Sequence, residues 1–420
     1  MDHAMVHPSF NKNAGCGIMA TKTNLTCMEL FSGGGGLALG IEKGGFRHVA
    51  VVEYNENARK TIEENNRLGH YESPWPLLAE PDAKKVRYSD YHGKVDLIAG
   101  GPPCQPFSLG GLHKGYRDER DLFPVAVRAV REIEPLVFLF ENVQGLTRPS
   151  FSTYVEYIKL QMRHPWLPIK DAEDWASHLR RLKAIDNGKT EPNGHVYDVQ
   201  VLPISCTDFG TPQKRNRVLF VGARNDIGLK WEWPQATHSQ DALLYDQYVT
   251  KTYWKRHGLK PKSCPKKLAA TIQSLISAKA KPTLKPWVTV RDAISGLPPP
   301  SRSDDRVNVA FNQHVLIPGA RTYAGHTGSP MDWPAKTIKA GVHGVPGGEN
   351  MLANGNGRVR YFTVREAGLL QGFPDNYVFS GNWAEAMRQI GNAVPVMVAQ
   401  TIAERLRDYV LKAKDQRSGD

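Results

Sequence analysis

The stretch that most constrains this chain is Pro135–Phe140, PLVFLF, an almost unbroken apolar run. A strand wetted on one face alternates apolar with polar residues, whereas a strand of a parallel sheet is covered on both faces and does not. Shorter runs precede it: LTCMELF over 25–31, HVAVVEY over 48–54 and VDLIA over 95–99. Helical stretches lie between them. One covers 55–67, and another begins at Asp121, where Leu122, Ala126, Val130 and Ile133 share a face. Pro124 is tolerated there because it falls in the first turn. Strands alternating with helices predict an α/β fold with a doubly wound, mostly parallel sheet, whose ligands sit at the C-terminal ends of the strands.

Each run delivers distinctive residues at that end. The first leads into Phe31-Ser32-Gly33-Gly34-Gly35-Gly36, a glycine-rich turn close to G-x-G-x-x-G without matching it. Glycines there let backbone N–H groups approach a ligand. The second run ends in Glu53-Tyr54, and an acid in this place accepts hydrogen bonds from a ribose hydroxyl pair. The two features predict an adenosine-containing cofactor. The third run is stopped by GGPPCQPFS over 100–108, a loop with little backbone freedom that presents Cys104. A lone cysteine is more often a small buried apolar residue. The fourth run delivers Glu141-Asn142-Val143 to the same edge of the sheet; alone, that glutamate reads as a surface carboxylate. Asp90, in a turn before the third run, is placed either to meet an adenine amino group or to cap a loop.

Two strands, 197–203 and 218–222, bracket DFGTPQKRNR, and alternation points Arg215 and Arg217 to one face. Residues 146–187 look helical, with a basic cluster SHLRRLK at 177–183, and form an insertion without an assigned role. From Asn225 the alternation ends. Residues 225–359 are too long for one irregular loop and read as a second, smaller β-rich domain. Order resumes at 360–374, RYFTVREAGLLQGFP, and at 389–395, QIGNAVP. A last helix carries Val398, Ile402 and Leu406 at helical spacing and is placed against the first domain, beside the Gly33–Gly36 turn. The predicted organisation is a tail (1–22), a first domain (23–224), a second domain (225–359), a returning segment (360–412) and a polar tail (413–420).

The 420 residues carry a net charge of +12, which suits a polyanionic partner. No run of 18 apolar residues predicts a membrane span, and the N-terminus has no apolar core of a signal peptide. Five cysteines, at 16, 27, 104, 206 and 264, include no Cys-x-x-Cys. Their scatter argues against a disulfide framework and a zinc site, and for a reducing cytosol.

Taken in order, Pro102-Pro103-Cys104-Gln105 with Phe107-Ser108, Glu141-Asn142-Val143, Gln213-x-Arg215-x-Arg217, the 360–374 segment and Gln389–Pro395 resemble the cytosine carbon-5 DNA methyltransferases of prokaryotic restriction–modification systems. The resemblance spans most of the chain outside the tail, the 146–187 insertion and the 225–359 region. It implies the S-adenosylmethionine methyltransferase fold and a cytosine flipped out of the duplex, since a stacked base cannot reach such a pocket. Carbon 5 of cytosine is a poor nucleophile until a thiolate adds to carbon 6. The family pattern gives that thiolate to Cys104, protonation of ring nitrogen 3 to Glu141, and the grip on the base carbonyl to Arg215. It places S-adenosylmethionine against Phe31, Gly33, Gly34, Gly35 and Gly36, with Glu53, Tyr54 and Asp90 around the adenosine, and Pro103, Leu122, Asn392 and Ala393 closing the site. Gln105, Ser108, Asn142, Val143, Gln213 and Arg217 then fall to the DNA side, the 110–120 segment to a loop closing over DNA, and 225–359 to target recognition. No metal is implied. The implied setting is the bacterial cytoplasm and nucleoid, with a monomer on double-stranded DNA and a cognate restriction endonuclease sharing its site without a stable complex. A tRNA methyltransferase of the same family shares the catalytic parts. A catalytically silent DNA-binding regulator would not need Cys104, Glu141 and Arg215 together, and a Rossmann dehydrogenase has no use for Pro102-Pro103-Cys104.

Overall fold

The computed structural model describes residues 24–103, 121–189, 192–278, 280–300, 302, 312–322, 327–340, 350–353, 355 and 357–418. Cys104, Gln105 and Ser108 lie outside them, as does the 110–120 segment.

A six-stranded sheet organises the first domain. Its strands are β1 (Thr26–Leu30), β2 (Arg47–Val52), β3 (Leu97–Gly100), β4 (Val137–Val143), β5 (Tyr197–Ser205) and β6 (Asn216–Arg224), in the spatial order β2-β1-β3-β4-β6-β5. The first four run parallel. β4 is buried along all but its last residue, as its apolar run requires. β6 runs antiparallel to both β4 and β5, so the sheet is mixed at one edge. This matters for the site, because the start of β6 lies beside the end of β4: Arg217 is the register partner of Val143.

Helices cover both faces. On one side lie α1 (Gly36–Lys43) and the last helix, α12 (Val396–Ser418), burying Leu37, Ile41, Val398, Ile402 and Leu406 against the sheet. That places the C-terminal helix where its spacing predicted. Gly40 and Gly44 let the two backbones approach: a Cβ on Gly40 would sit 2.3 Å from the Ala399 Cβ, and one on Gly44 2.4 Å from that of Ala403. On the other side α3 (Phe123–Ile133) and α4 (Ser152–Arg163) bury Ala126, Val130, Ile133, Ile158 and Met162. α2 (Glu56–Arg67), capped by Asn55, follows β2. α5 (Trp175–Asp186) packs on α4 through Tyr157, Leu160, Leu179 and Leu182.

The second region holds two small sheets. One pairs β7 (His238–Ser239) with β8 (Lys285–Pro286); the other orders as β11 (Val359–Tyr361), β10 (Met351–Ala353), β9 (Ser329–Pro330). Short helices supply more of its described residues than these strands: α6 (Gln240–Leu244), α7 (Thr252–Arg256), α8 (Ala269–Ala278) and α9 (Val290–Ile294). Its own core is small, built on Leu243, Tyr253 and Trp254 with Trp287 and Trp333 against them. The chain then returns through α10 (Val364–Leu370), opened by a Thr363–Glu366 capping box, and α11 (Trp383–Asn392).

Candidate functional site

The chain passes from β1 to β2 on one side and then to β3 on the other. That reversal opens a crevice at the C-terminal ends of β1 and β3, the usual ligand position in such sheets. A cavity of about 760 Å³ fills it, within the range of small-molecule sites.

One end suits an adenosine. Glu53 leaves β2 with its carboxylate bonded to the Gly33 and Asn55 N–H groups, 2.7 Å each. Burial pushes the Glu53 carboxyl up, while those donors and the charge of Arg388 pull it back. Phe31 and Gly33 line the wall, both at positive φ. Tyr54 presents an aromatic ring that is 76% exposed, a free face for a planar base. Asn392 and Ala393, from the end of α11, close the back.

Gly34, Gly35 and Gly36 do not line this cavity, contrary to the ligand-cradle expectation. Side chains there would strike the returning segment instead. A Cβ on Gly36 would meet the Val394 carbonyl at 2.5 Å, one on Gly35 the Tyr377 hydroxyl at 2.7 Å, and one on Gly34 the Gln389 side chain at 3.1 Å. Tyr377 also donates to the Gly34 carbonyl at 2.9 Å. The glycine turn is thus thinned mainly so that the C-terminal motif can seat against it. Asp90 is likewise outside the cavity: it lies in an exposed 3-10 turn, 3.4 Å from Arg87. The acid from this part of the chain that reaches the cavity is Asp82, beside Ala83. Sequence reasoning passed over it because the stretch between α2 and β3 has no periodicity to locate it.

The other end is built by β4 and β6. Glu141 is 7% exposed at the end of β4, and the Arg217 Nε lies 2.5 Å from its Oε1. The two are diagonal neighbours on one face, because Glu141 pairs in register with Leu219 and Arg217 lies two residues before it. Arg215 occupies the same face one step further out, but it is wholly buried and does not line the cavity. Its guanidinium donates to the carbonyls of Gly391 at 2.6 Å and Ile338 at 3.2 Å. Burial, then the Arg217 charge, lowers its pKa to about 9. Alternation along the chain could not give the depth at which each arginine lies. Gln213 is also fully buried, its carbonyl oxygen accepting from the Ile338 N–H at 2.9 Å. The pair Gln213 and Arg215 therefore joins three segments of chain, and Arg217 is the arginine that meets the carboxylate.

Asn142 and the prolines position the mouth. The Asn142 amide donates to the Pro102 carbonyl at 3.0 Å, and Val143 beside it is 53% exposed. Pro103 and Leu122 both line the cavity, and the Leu122 N–H donates to the Pro103 carbonyl at 3.0 Å. Cys104 follows Pro103 directly in the sequence. Arg388 and Gln389 also reach the cavity; Gln389 was legible within its motif, whereas Arg388 stands one residue before it.

Comparison with known proteins agrees with this arrangement. The model of the C-5 cytosine-specific DNA methylase family matches residues 25–164 and 187–408, leaving out little besides α5 and the termini. The Type II methyltransferase M.NgoMIV of Neisseria gonorrhoeae is 29% identical over 91% of this chain and 96% of its own length. M.Eco47II of Escherichia coli is 30% identical over 90% of this chain and 78% of its own. Among solved structures, a DNMT2 mutant from Spodoptera frugiperda superposes with a TM-score of 0.54 at 17% identity, covering 91% of this chain and all of that one. Sheet order, cavity and family match converge: the chain belongs to the C-5 cytosine-specific DNA methylase family.

Proposed function

We propose that this enzyme is the modification methyltransferase of a type II restriction–modification system, acting in the cytoplasm on one cytosine of a short duplex word. The observation that carries the reading is the Glu141–Arg217 pair at one end of a cavity whose other end holds Glu53. Members of the family take their methyl group from S-adenosylmethionine. The residues present fit that group. Glu53 offers carboxylate lone pairs toward a ribose, Tyr54 a face for the adenine, Asp82 an acceptor beside it, and Asn392 a polar contact at the far wall.

The extrahelical cytosine enters from the Val143 side, above Glu141. Cys104 adds through its sulfur to carbon 6, and the ring electrons move toward nitrogen 3, which takes a proton from Glu141. Arg217 holds Glu141 in register and donates to the carbonyl at carbon 2, where negative charge gathers. Bound S-adenosylmethionine supplies an electrophilic methyl to carbon 5. Loss of the carbon-5 proton to water, expulsion of the Cys104 thiolate and return of the nitrogen-3 proton to Glu141 then restore the aromatic ring and the starting state of the enzyme. Asn142 holds the Pro102 carbonyl, and so the start of the loop that carries Cys104 in the sequence, through its side-chain amide. The enzyme acts as a monomer on DNA, and the cognate endonuclease reads the same word without binding it.

DNA carrying 5-fluorocytosine in the target tests this reading, because fluorine cannot leave as the proton does. With methyl donor present, a denaturing gel should show a covalent protein–DNA band that vanishes in Cys104→Ser. A band that survives the substitution overturns the assignment.

A further inference from the structure

Beneath α1, where β1 pairs with β2, three side chains converge that the reaction does not use. Cys27 and Glu29 alternate along β1 and share a face. His48 on β2 is the register partner of Cys27. All three are at 0–1% exposure, and one ligand atom from each lies within 4.8 Å of the others. Among the described residues, neither Glu29 oxygen and neither His48 nitrogen has a hydrogen-bond partner, and the closest approach between the two side chains is 3.9 Å, too long for one. A buried carboxyl and imidazole left in this state are destabilising.

We propose that Cys27, Glu29 and His48 form a structural site for a borderline divalent cation, Zn²⁺ before others. A thiolate, a carboxylate and a neutral imidazole sum to a charge of minus two, which one divalent ion cancels inside the apolar layer. The donor set fits zinc: thiolate sulfur, imidazole nitrogen and carboxylate oxygen are its three protein ligand types. Bonds of about 2.0–2.3 Å put tetrahedral ligand atoms roughly 3.3–3.7 Å apart, so the three side chains need close by no more than about an ångström. Glu29 also borders the cavity, which leaves water a route to a fourth position. Chain spacing hides the site, since the ligands come from two strands brought into register by the parallel pairing. Because α1 and Trp75, whose ring centroid is 5.0 Å from that of His48, cover it, the ion enters as the domain folds.

The test uses the full chain, unfolded in denaturant with chelator and refolded with Zn²⁺ or Co²⁺. Elemental analysis after dialysis should give about one zinc per chain, as for a single structural site. X-ray absorption should show one sulfur with two or three nitrogen or oxygen neighbours, and the cobalt form a thiolate charge-transfer band. Cys27→Ser and His48→Gln should lose the ion, while Cys264→Ser, altered at an exposed cysteine, should keep it. If the variants fail to fold, the wild-type absorption spectrum still decides. Refolded wild-type protein with no retained zinc, or a bound ion with no sulfur neighbour, overturns the proposal.

Discussion

At the scale of single residues, the two arginines before and within β6 divide the labour. Arg217 meets Glu141 at the cavity, whereas Arg215 is spent on two backbone carbonyls. Arg217→Ala should therefore lower kcat by about 10²–10³, the usual loss for a donor at developing charge, with little change in melting. Arg217→Lys should recover little of this, because an ammonium lacks the planar fork. Arg215→Met should do the reverse. It leaves the Gly391 and Ile338 carbonyls unpaired at about 1–3 kcal/mol each and should lower the urea midpoint before it lowers turnover. Denaturation curves run beside single-turnover rates separate the two; a stable Arg215→Met protein with lost chemistry would return the catalytic role to Arg215.

At the scale of elements, the contact between α1 and α12 is the tightest helix packing in the first domain. Gly40→Ala ordinarily favours a helix by up to about 1 kcal/mol. Here the added methyl meets Ala399 and the Val396 carbonyl, so the substitution should destabilise by about 1–3 kcal/mol. Ala399→Gly should restore much of the loss, and a double-mutant cycle reads the coupling. A different element answers to pH. His164 and His178 hold α5 against α4, bonded to Asp186 and to the Tyr157 hydroxyl respectively. Burial lowers both pKa values, against the pull of Asp186 on His164 and the Leu167 carbonyl on His178. The folded form prefers both rings neutral, so the unfolded form binds more protons below about pH 6.5 and stability falls as pH drops through that range. Hydrogen exchange in α5, corrected for its intrinsic rate, should rise between pH 7.5 and 5.5 ahead of exchange in β4. How much of this was legible follows from which elements carry a period. The unbroken PLVFLF run announced a covered parallel strand, and Val398, Ile402 and Leu406 announced the last helix. The strands of the second region are two or three residues long and carry no period, and nothing in the runs before Arg217 distinguishes an antiparallel hairpin from another crossover. Residues on the hairpin became legible only through register: Arg217 beside Val143 explains the site, and alternation alone had favoured neither arginine.

At the scale of the whole molecule, the second region meets the first at several places: Trp231 is buried in the first domain's core, Asp208 bonds Thr237 and Trp287, and a short stretch of backbone adds to these. The N–H of Ala335 donates to the Pro212 carbonyl at 2.9 Å, that of Lys214 to the Ala335 carbonyl at 2.7 Å, and Gly391 abuts Ala340 closely enough that a Cβ would sit 2.5 Å from its nitrogen. Target choice, if it lies in 225–359, should therefore be separable from this anchor. A chimera that replaces 240–330 with the corresponding part of a relative, keeping the core residues Leu229, Trp231 and Trp233 and the 331–340 stretch, should fold and methylate the donor's word, each bidentate base contact discriminating by about 1–3 kcal/mol. One that also exchanges 331–340 should melt earlier. Methylation mapping of both decides, and retention of the original word in the first would place the reader elsewhere. The seating of the C-terminal motif on the glycine turn has a further consequence, in time rather than space. Translation delivers β1 and its turn almost first, yet Asn392, Ala393 and Val394, which wall the same cavity, emerge more than three hundred residues later. On the proposed function, a nascent chain that has completed its sheet still lacks the back of that cavity, so methylation should begin only with chains synthesised past their last motif.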